Sequence, residues 1–516
     1  MNYLPVTFRD KKVCSLPVPS TRMGWALLIF VAVVLLYLPF LGDSLIRTAD
    51  EGQRAVPPLE MLRSGDWVVP RLNAEVYLKK PPMVYWQVAL FYKLFGVSEF
   101  VARISMVLCG ALLCAVTYLW ARGFCNNKTS VLAAVICAAN AIVMFKSREC
   151  QIDIPLTLFI VLCLWAWMIA LRRIAQGTKG WFGALLLGTV ALAISHLYKG
   201  PVGFVFGAVA WVGTVVCLRQ WSLIKNARWW SCLLMVVLSV IPVFVWAYLV
   251  IADLGWQQVM DIWLYEAELH LVKATPINSG PPWYYVERII VCFIPWIVWA
   301  GALFMPAFWK YCKESDRHFE WAYLSGTVLF SLVFLSLNTS KETEYMLGLV
   351  APFSILLALS SEWLCSVRGV VADERKAMTV YRRIGGSPLV LVFGVVAWIV
   401  SSWVIFPIVW HVDSKKLDPK TIATVVHDLR HNQNIPVAVH DLMGTRPYVY
   451  YYLNELYPYV NTIPEIQAWF REHPNGALLT KTDTWDYMTS AGELMPPVRR
   501  LFETSEKGNL VLVQPQ

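Results

Sequence analysis

Residues 23–41 read MGWALLIFVAVVLLYLPFL, an apolar run without a charged side chain. A helix needs about 20 apolar residues to cross the hydrocarbon core of a bilayer, so this run predicts a membrane-spanning helix. It lacks a small-residue cleavage site, which favours a retained anchor over a removable signal. The basic residues in front of it, which predict a cytoplasmic N-terminal tail over residues 1–22, are Arg9, Lys11, Lys12 and Arg22.

Ten further apolar stretches, each bounded by charged residues or by Pro and Gly, follow along the chain. Together with the first they predict a polytopic α-helical membrane protein of about eleven spans, with a transmembrane domain over 23–409. The further stretches are 101–120, 129–145, 154–171, 181–197, 202–218, 229–251, 288–309, 321–337, 345–364 and 388–409.

Basic residues cluster in every second connection between these stretches. The positive-inside rule assigns such connections to the cytoplasm. The remaining segments, 42–100, 252–287 and 410–516, are then expected outside, in the periplasm of an inner or plasma membrane. The clusters are Arg122 and Lys128; Arg172, Arg173 and Lys179; Arg219, Lys225 and Arg228; Lys310, Lys313 and Arg317; and Arg368, Arg375, Lys376, Arg382 and Arg383.

The composition agrees with a membrane protein. Hydrophobic residues make up 57% of the 516 residues and charged residues 15%, whereas about 25% of a typical soluble domain is charged. This excludes a soluble enzyme, a disordered protein and a simple nucleic-acid binder, so no nucleic-acid partner is expected. The net charge of +9 carries less information here than the positions of the basic residues.

The last hundred residues change character, because charged residues return and short apolar runs alternate with helical patterns. Strand-like runs occur at 437–440, 477–482 and 510–513, and helical patterns near 419–431 and 463–472. This alternation predicts a small extracytoplasmic α/β domain.

The first outer segment, 42–100, is too polar to span a membrane. It contains Asp50-Glu51, then SGDWVVPRLN over 64–73, then YLKKPP over 77–82. Its aromatic residues predict two short helices lying at the membrane interface. Because of Pro57 and Pro58, we expect the helix around Asp50 to be broken or to start at Pro58.

The block 48–86 resembles the first outer loop of the protein O-mannosyltransferase and lipid A aminoarabinose transferase family, within the C-type glycosyltransferase superfamily. The resemblance extends over about residues 23–360. It implies transfer of a sugar from a polyprenyl-phosphate lipid, such as an undecaprenyl phosphate, to an acceptor hydroxyl on the outer face of the membrane. Such a reaction needs a carboxylate for the acceptor proton and cations for the departing phosphate.

Asp50 matches the catalytic carboxylate of the family, and its alternative is an ordinary interfacial acid. Glu51 points about 100° away on a helix, so we assign it to support. Arg54 lies one turn from Asp50, where pairing with Asp50 and contact with phosphate are alternatives.

Lys80 matches the lysine that the resemblance places against the donor phosphate. Lys79 stands where relatives often carry glutamate, which weakens any metal site transferred from them. Binding of anionic lipid headgroups is the alternative for both lysines.

A second acidic position comes from Asp153, at the outer start of the fourth predicted span. By resemblance it faces Asp50 across the site, while a helix N-cap in front of Pro155 is the alternative. Lys199, in a Lys-Gly-Pro sequence, is a candidate phosphate contact or part of a tight turn. Lys341 and Tyr345 match a segment close to the donor.

These residues predict an integral-membrane glycosyltransferase that works with inversion on lipid A, another glycolipid, a polysaccharide or a protein. The alternative from another class is a transporter or flippase of a lipid-linked sugar. The sequence requires no cofactor and assigns no metal ligands, although a divalent metal stays open. An acceptor-gating loop is expected at 252–287. The alternative is a metal site, formed if Glu266, Glu268 and His270 share one face of a strand.

Overall fold

Long apolar helices dominate the computed structural model, which describes residues 21–46, 48–271, 280–338, 341–366, 388–400, 403–404, 419–442, 446–490, 497–503 and 510–516. Within these ranges, six helices are long and apolar enough to cross a bilayer, and three further apolar helices are shorter. The six are Glu99–Arg122, Asp153–Ala175, Trp181–Lys199, Arg228–Leu254, His318–Leu337 and Thr343–Ser366; the shorter ones are Arg22–Tyr37, Asn127–Ala138 and Val202–Leu218.

The two remaining predicted spans also contain helix. The first comprises an α-helix, Tyr284–Cys292, and a 3-10 helix, Trp296–Phe304, and the second begins as Pro388–Val400. The polytopic helical fold is therefore confirmed, while the count of eleven crossings stays a prediction. Further helices are Ala141–Lys146, Trp256–Leu271 and Pro306–Glu314. The long apolar range Arg228–Leu254 consists of two consecutive helices, Ala227–Ser239 without its first residue and Ile241–Leu254.

Burial separates the central helices from the peripheral ones. Thr343–Ser366 has 94% of its most apolar window buried, whereas Arg228–Leu254 has 28%. A helix that is apolar on all sides and buried is a core element, while an apolar helix left uncovered fits a lipid-facing position. The helix Thr343–Ser366 thus forms the centre of the bundle and carries the segment around Tyr345 to the site.

Two helices of the bundle approach each other at paired glycines. A Cβ atom at Gly213 would lie 2.7 Å from the carbonyl carbon of Gly326, which is too close for any side chain. Small residues permit such close approach of helix backbones inside membranes. The contact joins Val202–Leu218 to His318–Leu337.

The first outer segment folds as two helices, as predicted, and these are Ala49–Ser64 and Met83–Phe95. A two-stranded antiparallel ribbon, β1 (Arg71–Leu72) and β2 (Glu75–Val76), lies between them. The predicted break at Pro57 and Pro58 is wrong, because the helix continues through both prolines. Its residues from Ala55 to Met61 are buried, and this packing outweighs the hydrogen bonds that the prolines cannot donate.

The outer segment 252–287 also differs from its prediction. The chain is helical over Trp256–Leu271, where a loop or a strand was expected, and residues 272–279 lie outside the described residues. The side chains of Glu266, Glu268 and His270, for which a shared strand face was predicted, lie outside the described part of the structure.

The C-terminal region contains a four-stranded sheet in the order β3-β4-β6-β5. Strand β3 (Val437–Val439) pairs in parallel with β4 (Ala477–Lys481), and β6 (Leu510–Pro515) is antiparallel to β4 and β5 (Val498–Glu503). The predicted α/β character is confirmed. Its helices are Pro419–His427, continued by a π-helical turn at Asp428–Asn432, then Tyr448–Leu453, Ile463–Glu472 and Thr482–Ser490.

This region packs directly on the first outer segment. The amide of Asn73 donates to the carbonyl of Tyr457 at 3.0 Å, and the backbone N–H of Tyr457 donates to Asn73 Oδ1 at 3.1 Å. At Gly52 a Cβ atom would lie 2.7 Å from the Cα atom of Tyr448. The C-terminal region therefore holds the helix Ala49–Ser64 in place from the side facing away from the bundle.

Candidate functional site

A polar cavity of about 200 Å³ opens where the ends of several helices meet, on the side of the bundle that carries the helix Ala49–Ser64. Its walls come from the helix Ala49–Ser64, the start of Asp153–Ala175, the end of Trp181–Lys199 and the turn before Leu347–Ser366. The cavity is lined by Asp50, Arg54, Lys80, Gln151, Ile152, Asp153, Lys199, Glu342, Glu344 and Tyr345.

Asp50 lies in the first turn of Ala49–Ser64, with its side chain exposed to the cavity. The helix begins after Thr48, whose hydroxyl accepts a hydrogen bond from the backbone N–H of Glu51 at 3.1 Å. A carboxylate in the first helical turn is favoured by the helix dipole. The cap and the dipole together place Asp50 at a position that is open to a substrate.

Glu51 points into the protein and is fully buried. Arg103 binds it through two hydrogen bonds, from Nε at 2.8 Å and from Nη2 at 2.9 Å. Arg103 also donates to the carbonyls of Leu41 and Ser44, and the backbone N–H of Cys150 donates to Glu51 Oε1 at 3.0 Å. Glu51 thus connects the Asp50 helix to the span Glu99–Arg122 and to the segment in front of Asp153.

Asp153 accepts an ion-pair hydrogen bond from Lys199, with 2.7 Å between Nζ and Oδ1. Asp153 is itself the first residue of its helix and makes no side-chain cap, so the N-cap alternative is wrong. The ammonium of Lys199 also lies 5.5 Å from the ring centre of Tyr345, within the range of a cation–π contact. The next residue, Gly200, has a φ of +61°, as in a tight turn. Lys199 therefore lies both at a turn and at the cavity, so its two alternatives are compatible.

Arg54 lines the cavity one helical turn after Asp50, and its side chain is largely buried. Burial disfavours its charge, but Tyr85, Tyr77 and Asp50 outweigh burial and raise the pKa of Arg54 above its ordinary value. The guanidinium is therefore a permanent cation between the Asp50 carboxylate and the tyrosine pair.

The two predicted lysines of the first outer segment differ in position. Lys80 lines the cavity and is half-buried, whereas Lys79 is exposed and does not line it. The prolines that follow begin the next helix, Met83–Phe95. Only Lys80 of this pair is therefore placed against a ligand in the cavity.

Lys341, like Glu51 and Lys79, is a predicted site residue that does not line the cavity. Its buried ammonium donates to the carbonyls of Leu335 at 3.0 Å and Ser336 at 2.8 Å, and it lies 5.4 Å from the ring centre of Tyr285. These bonds satisfy carbonyls at the end of the helix His318–Leu337. The ammonium of Lys341 is therefore held outside the cavity, and its contact with the donor stays a prediction.

Acidic residues that the sequence reading did not select form one wall of the cavity. Lys146 bridges Glu149 at 3.0 Å and Glu344 at 2.8 Å. Burial raises the pKa of Glu342, and the neighbouring charges of Glu344 and Asp50 add to this effect. The cavity thus places carboxylates beside Asp50 as well as cations.

Arg103, Glu342 and Glu344 are the important residues missed by the sequence reading. A signal for Arg103 existed, because an arginine inside a span is costly unless it has a partner. Glu342 follows the candidate Lys341 and Glu344 precedes the candidate Tyr345, but their position in the cavity depends on how Leu347–Ser366 packs.

The described residues include one group of side chains close enough for a metal ion, and it lies outside the cavity. It consists of His427, His431 and Glu455 in the C-terminal region. The cavity itself combines an open carboxylate, Asp50, with the cations Arg54, Lys80 and Lys199. This arrangement suits proton removal next to a departing anion.

The chain is similar to several known proteins. Residues 79–246 match the family profile described as dolichyl-phosphate-mannose-protein mannosyltransferase. An undecaprenyl phosphate-alpha-4-amino-4-deoxy-L-arabinose arabinosyl transferase from Serratia proteamaculans is 27% identical over 66% of this chain and 60% of its own length. The match therefore covers less than two thirds of that relative.

Two solved structures resemble the chain along most of its length. ArnT from Cupriavidus metallidurans, bound to undecaprenyl phosphate, gives a TM-score of 0.66 at 18% identity and covers 95% of this chain and 98% of its own. The Archaeoglobus fulgidus oligosaccharyltransferase gives 0.54 at 11% identity, with coverages of 90% and 71%. At these identities the likeness shows the fold alone.

Proposed function

We propose that this chain, which is similar to the dolichyl-phosphate-mannose-protein mannosyltransferase family and to an aminoarabinose transferase, transfers a sugar from a polyprenyl-phosphate donor to an acceptor hydroxyl. The observation that carries the proposal is the cavity, where the open carboxylate of Asp50 lies with Arg54, Lys80 and Lys199. A transporter requires no such pairing of a base with phosphate-binding cations.

The carboxylate of Asp50 takes the proton of the acceptor hydroxyl. The acceptor oxygen then forms a bond to the anomeric carbon from the face opposite the phosphate, which inverts that centre. The bond from the anomeric carbon to the phosphate oxygen breaks, and its electron pair leaves with the lipid phosphate. General-base catalysis of this kind contributes about 10²–10⁴-fold to a rate.

Lys80 and Arg54 supply positive charge where negative charge develops on the leaving phosphate. A preorganised cation in a site that excludes water stabilises such charge more than water does. Lys199 pairs directly with Asp153 at the cavity wall, and its ammonium lies 5.5 Å from the ring centre of Tyr345. A donor phosphate that enters the cavity can therefore compete with Asp153 for Lys199. We assign Glu51 to positioning, since Arg103 and Cys150 occupy its carboxylate.

The proposed orientation follows the distribution of basic residues. The N-terminus lies in the cytoplasm, and the cavity and the C-terminal region face the periplasmic side of the inner membrane. Such a site uses a lipid-linked donor, because nucleotide sugars are made in the cytosol. Lipid A, another glycolipid, a polysaccharide and a protein are the acceptor classes that this position permits.

The test is a transfer assay with purified protein in nanodiscs, supplied with a pool of undecaprenyl-phosphate sugars and outer-leaflet lipids. Release of free undecaprenyl phosphate is expected, and Asp50→Asn should reduce it by about 10²-fold or more. Lys80→Ala should reduce it as well, while Lys79→Ala serves as the matched control outside the cavity. Added divalent cation tests whether a metal contributes beyond the protein's own cations.

Normal turnover by a correctly inserted Asp50→Asn variant would overturn the mechanism. Movement of intact donor between leaflets without its consumption would favour the transporter class. Transfer is measured as released undecaprenyl phosphate, and transport is measured as intact donor that has changed leaflet. The two functions are therefore distinguished by different products.

A further inference from the structure

Three metal-binding side chains converge in the C-terminal region, away from the cavity. His427 and His431 lie four residues apart, at the end of Pro419–His427 and in the π-helical turn that follows it. Glu455 comes from the chain just after the helix Tyr448–Leu453. One ligand atom from each residue lies within 4.8 Å of the other two.

The geometry of the two histidines suits a shared ion. Residues four apart lie on the same face of a helix, and here the two rings are nearly parallel, with centres 5.6 Å apart and an angle of 20° between them. Nε2 of His431 is 2.9 Å from Oε1 of Glu455. Ligands bound at about 2.0–2.2 Å from one ion lie about 3.3–3.6 Å apart in a tetrahedral arrangement, so side-chain rotations that widen the 2.9 Å pair and shorten the longer separations let the group hold an ion.

The neighbouring residues determine which carboxylate oxygen is directed at the two histidines. Arg430 pairs with the other carboxylate oxygen of Glu455, with 3.3 Å between Nη1 and Oε2, so Oε1 is the oxygen directed at His431. The carboxylate of Asp428 accepts hydrogen bonds from Asn432 at 2.6 Å and from Gln433 at 2.8 Å. The carboxylate of Asp428 is therefore occupied by hydrogen bonds within its own turn, and it is not positioned to act as a base at the ion.

The ligand set selects the class of ion. Two imidazoles and one carboxylate suit zinc and its borderline neighbours, whereas calcium and magnesium prefer oxygen ligands. His431 is exposed and the other two ligands are half-buried, so water has access to a fourth position. The positive charge of Arg430 opposes a cation and limits its affinity.

We propose that His427, His431 and Glu455 form a zinc-binding site that ties the helix Pro419–His427 to the segment after Tyr448–Leu453. Both elements contact the first outer segment, 42–100, which carries Asp50. Lys420 of the first pairs with Glu99 at 2.6 Å, and Tyr448 of the second packs on Gly52. A bound ion joins these two supports and stabilises the C-terminal region against the bundle.

Zinc titration of the full-length protein in detergent, after treatment with chelator, tests this site. Bound metal is measured by mass spectrometry and the unfolding temperature by thermal scanning. We expect one zinc per chain at micromolar zinc, with a rise in unfolding temperature, and no comparable effect of calcium or magnesium. His427→Ala with His431→Ala should abolish both responses, and Glu455→Gln should weaken binding at least about tenfold.

His473→Ala is the matched control, because His473 lies in the same region but outside the group. It should bind zinc as the unmodified protein does. The unfolding temperature of each variant without zinc shows whether it is folded, and the Glu455→Gln variant carries the test if the double histidine variant is not. Absence of stoichiometric zinc binding, or its persistence in a folded variant lacking the ligands, would overturn the proposal. Neither readout depends on the transferase reaction.

Discussion

Two ion pairs lie at the outer end of the bundle, and they have almost the same length. Glu51 and Arg103 are 2.8 Å apart, and Asp153 and Lys199 are 2.7 Å apart. The side chains of the first pair are 0% exposed, whereas in the second Lys199 is 21% and Asp153 10% exposed. Distance therefore does not distinguish these pairs, but access from the cavity does.

The difference separates a structural pair from one that a substrate can reach. Arg103 is enclosed by Glu51 and by backbone carbonyls, so nothing that enters the cavity can replace its partner. Lys199 borders the cavity, where an incoming phosphate can compete with Asp153. We infer that the buried pair positions the catalytic segment and that the accessible pair takes part in binding.

The largest expected effect comes from breaking the buried pair. Arg103→Met leaves the Glu51 carboxylate without its partner in the interior, which should lower the free energy of unfolding by about 3–5 kcal/mol. The measurement is unfolding of the detergent-solubilised protein. Arg103→Met combined with Glu51→Leu should recover part of this loss. Equal stability of the single variant and the unmodified protein would contradict a structural role for the pair.

A smaller loss is expected where the C-terminal region closes on the same segment. Gly52→Ala brings a Cβ atom to 2.7 Å from the Cα atom of Tyr448, and such overpacking costs about 1–3 kcal/mol. The gain in helix propensity, about 1 kcal/mol, does not offset a displaced backbone. Thermal unfolding measures the net loss. Gly183→Ala is the control, because nothing lies within 4 Å of its Cβ position, and it should be neutral or stabilising.

For the accessible pair, we expect activity and stability to respond differently. Lys199→Ala should reduce sugar transfer by about tenfold or more, since a charged contact to the phosphate is lost. Its free energy of unfolding should fall by less than that of Arg103→Met, because Lys199 and Asp153 border the cavity, where water can reach the carboxylate that is left behind. Lys199→Arg, which keeps the charge, should retain more transfer. A loss of stability as large as that of Arg103→Met would remove the distinction between the pairs.

The smallest effect concerns pH and Glu342. Burial, with Glu344 and Asp50 nearby, raises the pKa of Glu342 above 4.5. The folded state then binds this proton more tightly than the unfolded state, so Glu342 lowers stability as pH rises from about 4.5 through its raised pKa. Glu342→Gln should flatten this part of the curve of unfolding temperature against pH. Superimposable curves for the two proteins would show that the carboxyl is not perturbed.

Much of the fold could be predicted because hydropathy is a local property. Each predicted span coincides with a helical segment within the described residues, and strands β3, β4 and β6 lie where short apolar runs occur. Strand β5 was missed, since its residues include Arg499, Arg500 and Glu503 and its exposed positions leave no apolar run to recognise. The break at Pro57 and Pro58 was wrong because burial of the helix outweighs local preference.

The chain's own pattern of residues was enough to indicate a membrane protein, its predicted orientation and the segment that carries Asp50. These features depend on neighbours in the sequence. The identity of the partners depends on packing instead: Glu51 meets Arg103 across 52 residues and Lys199 meets Asp153 across 46. Lys341 is near Tyr345 in the chain, yet only Tyr345 lines the cavity. Such pairings, and the burial that makes one ion pair structural and leaves the other accessible, arise only when helices distant in sequence are brought together.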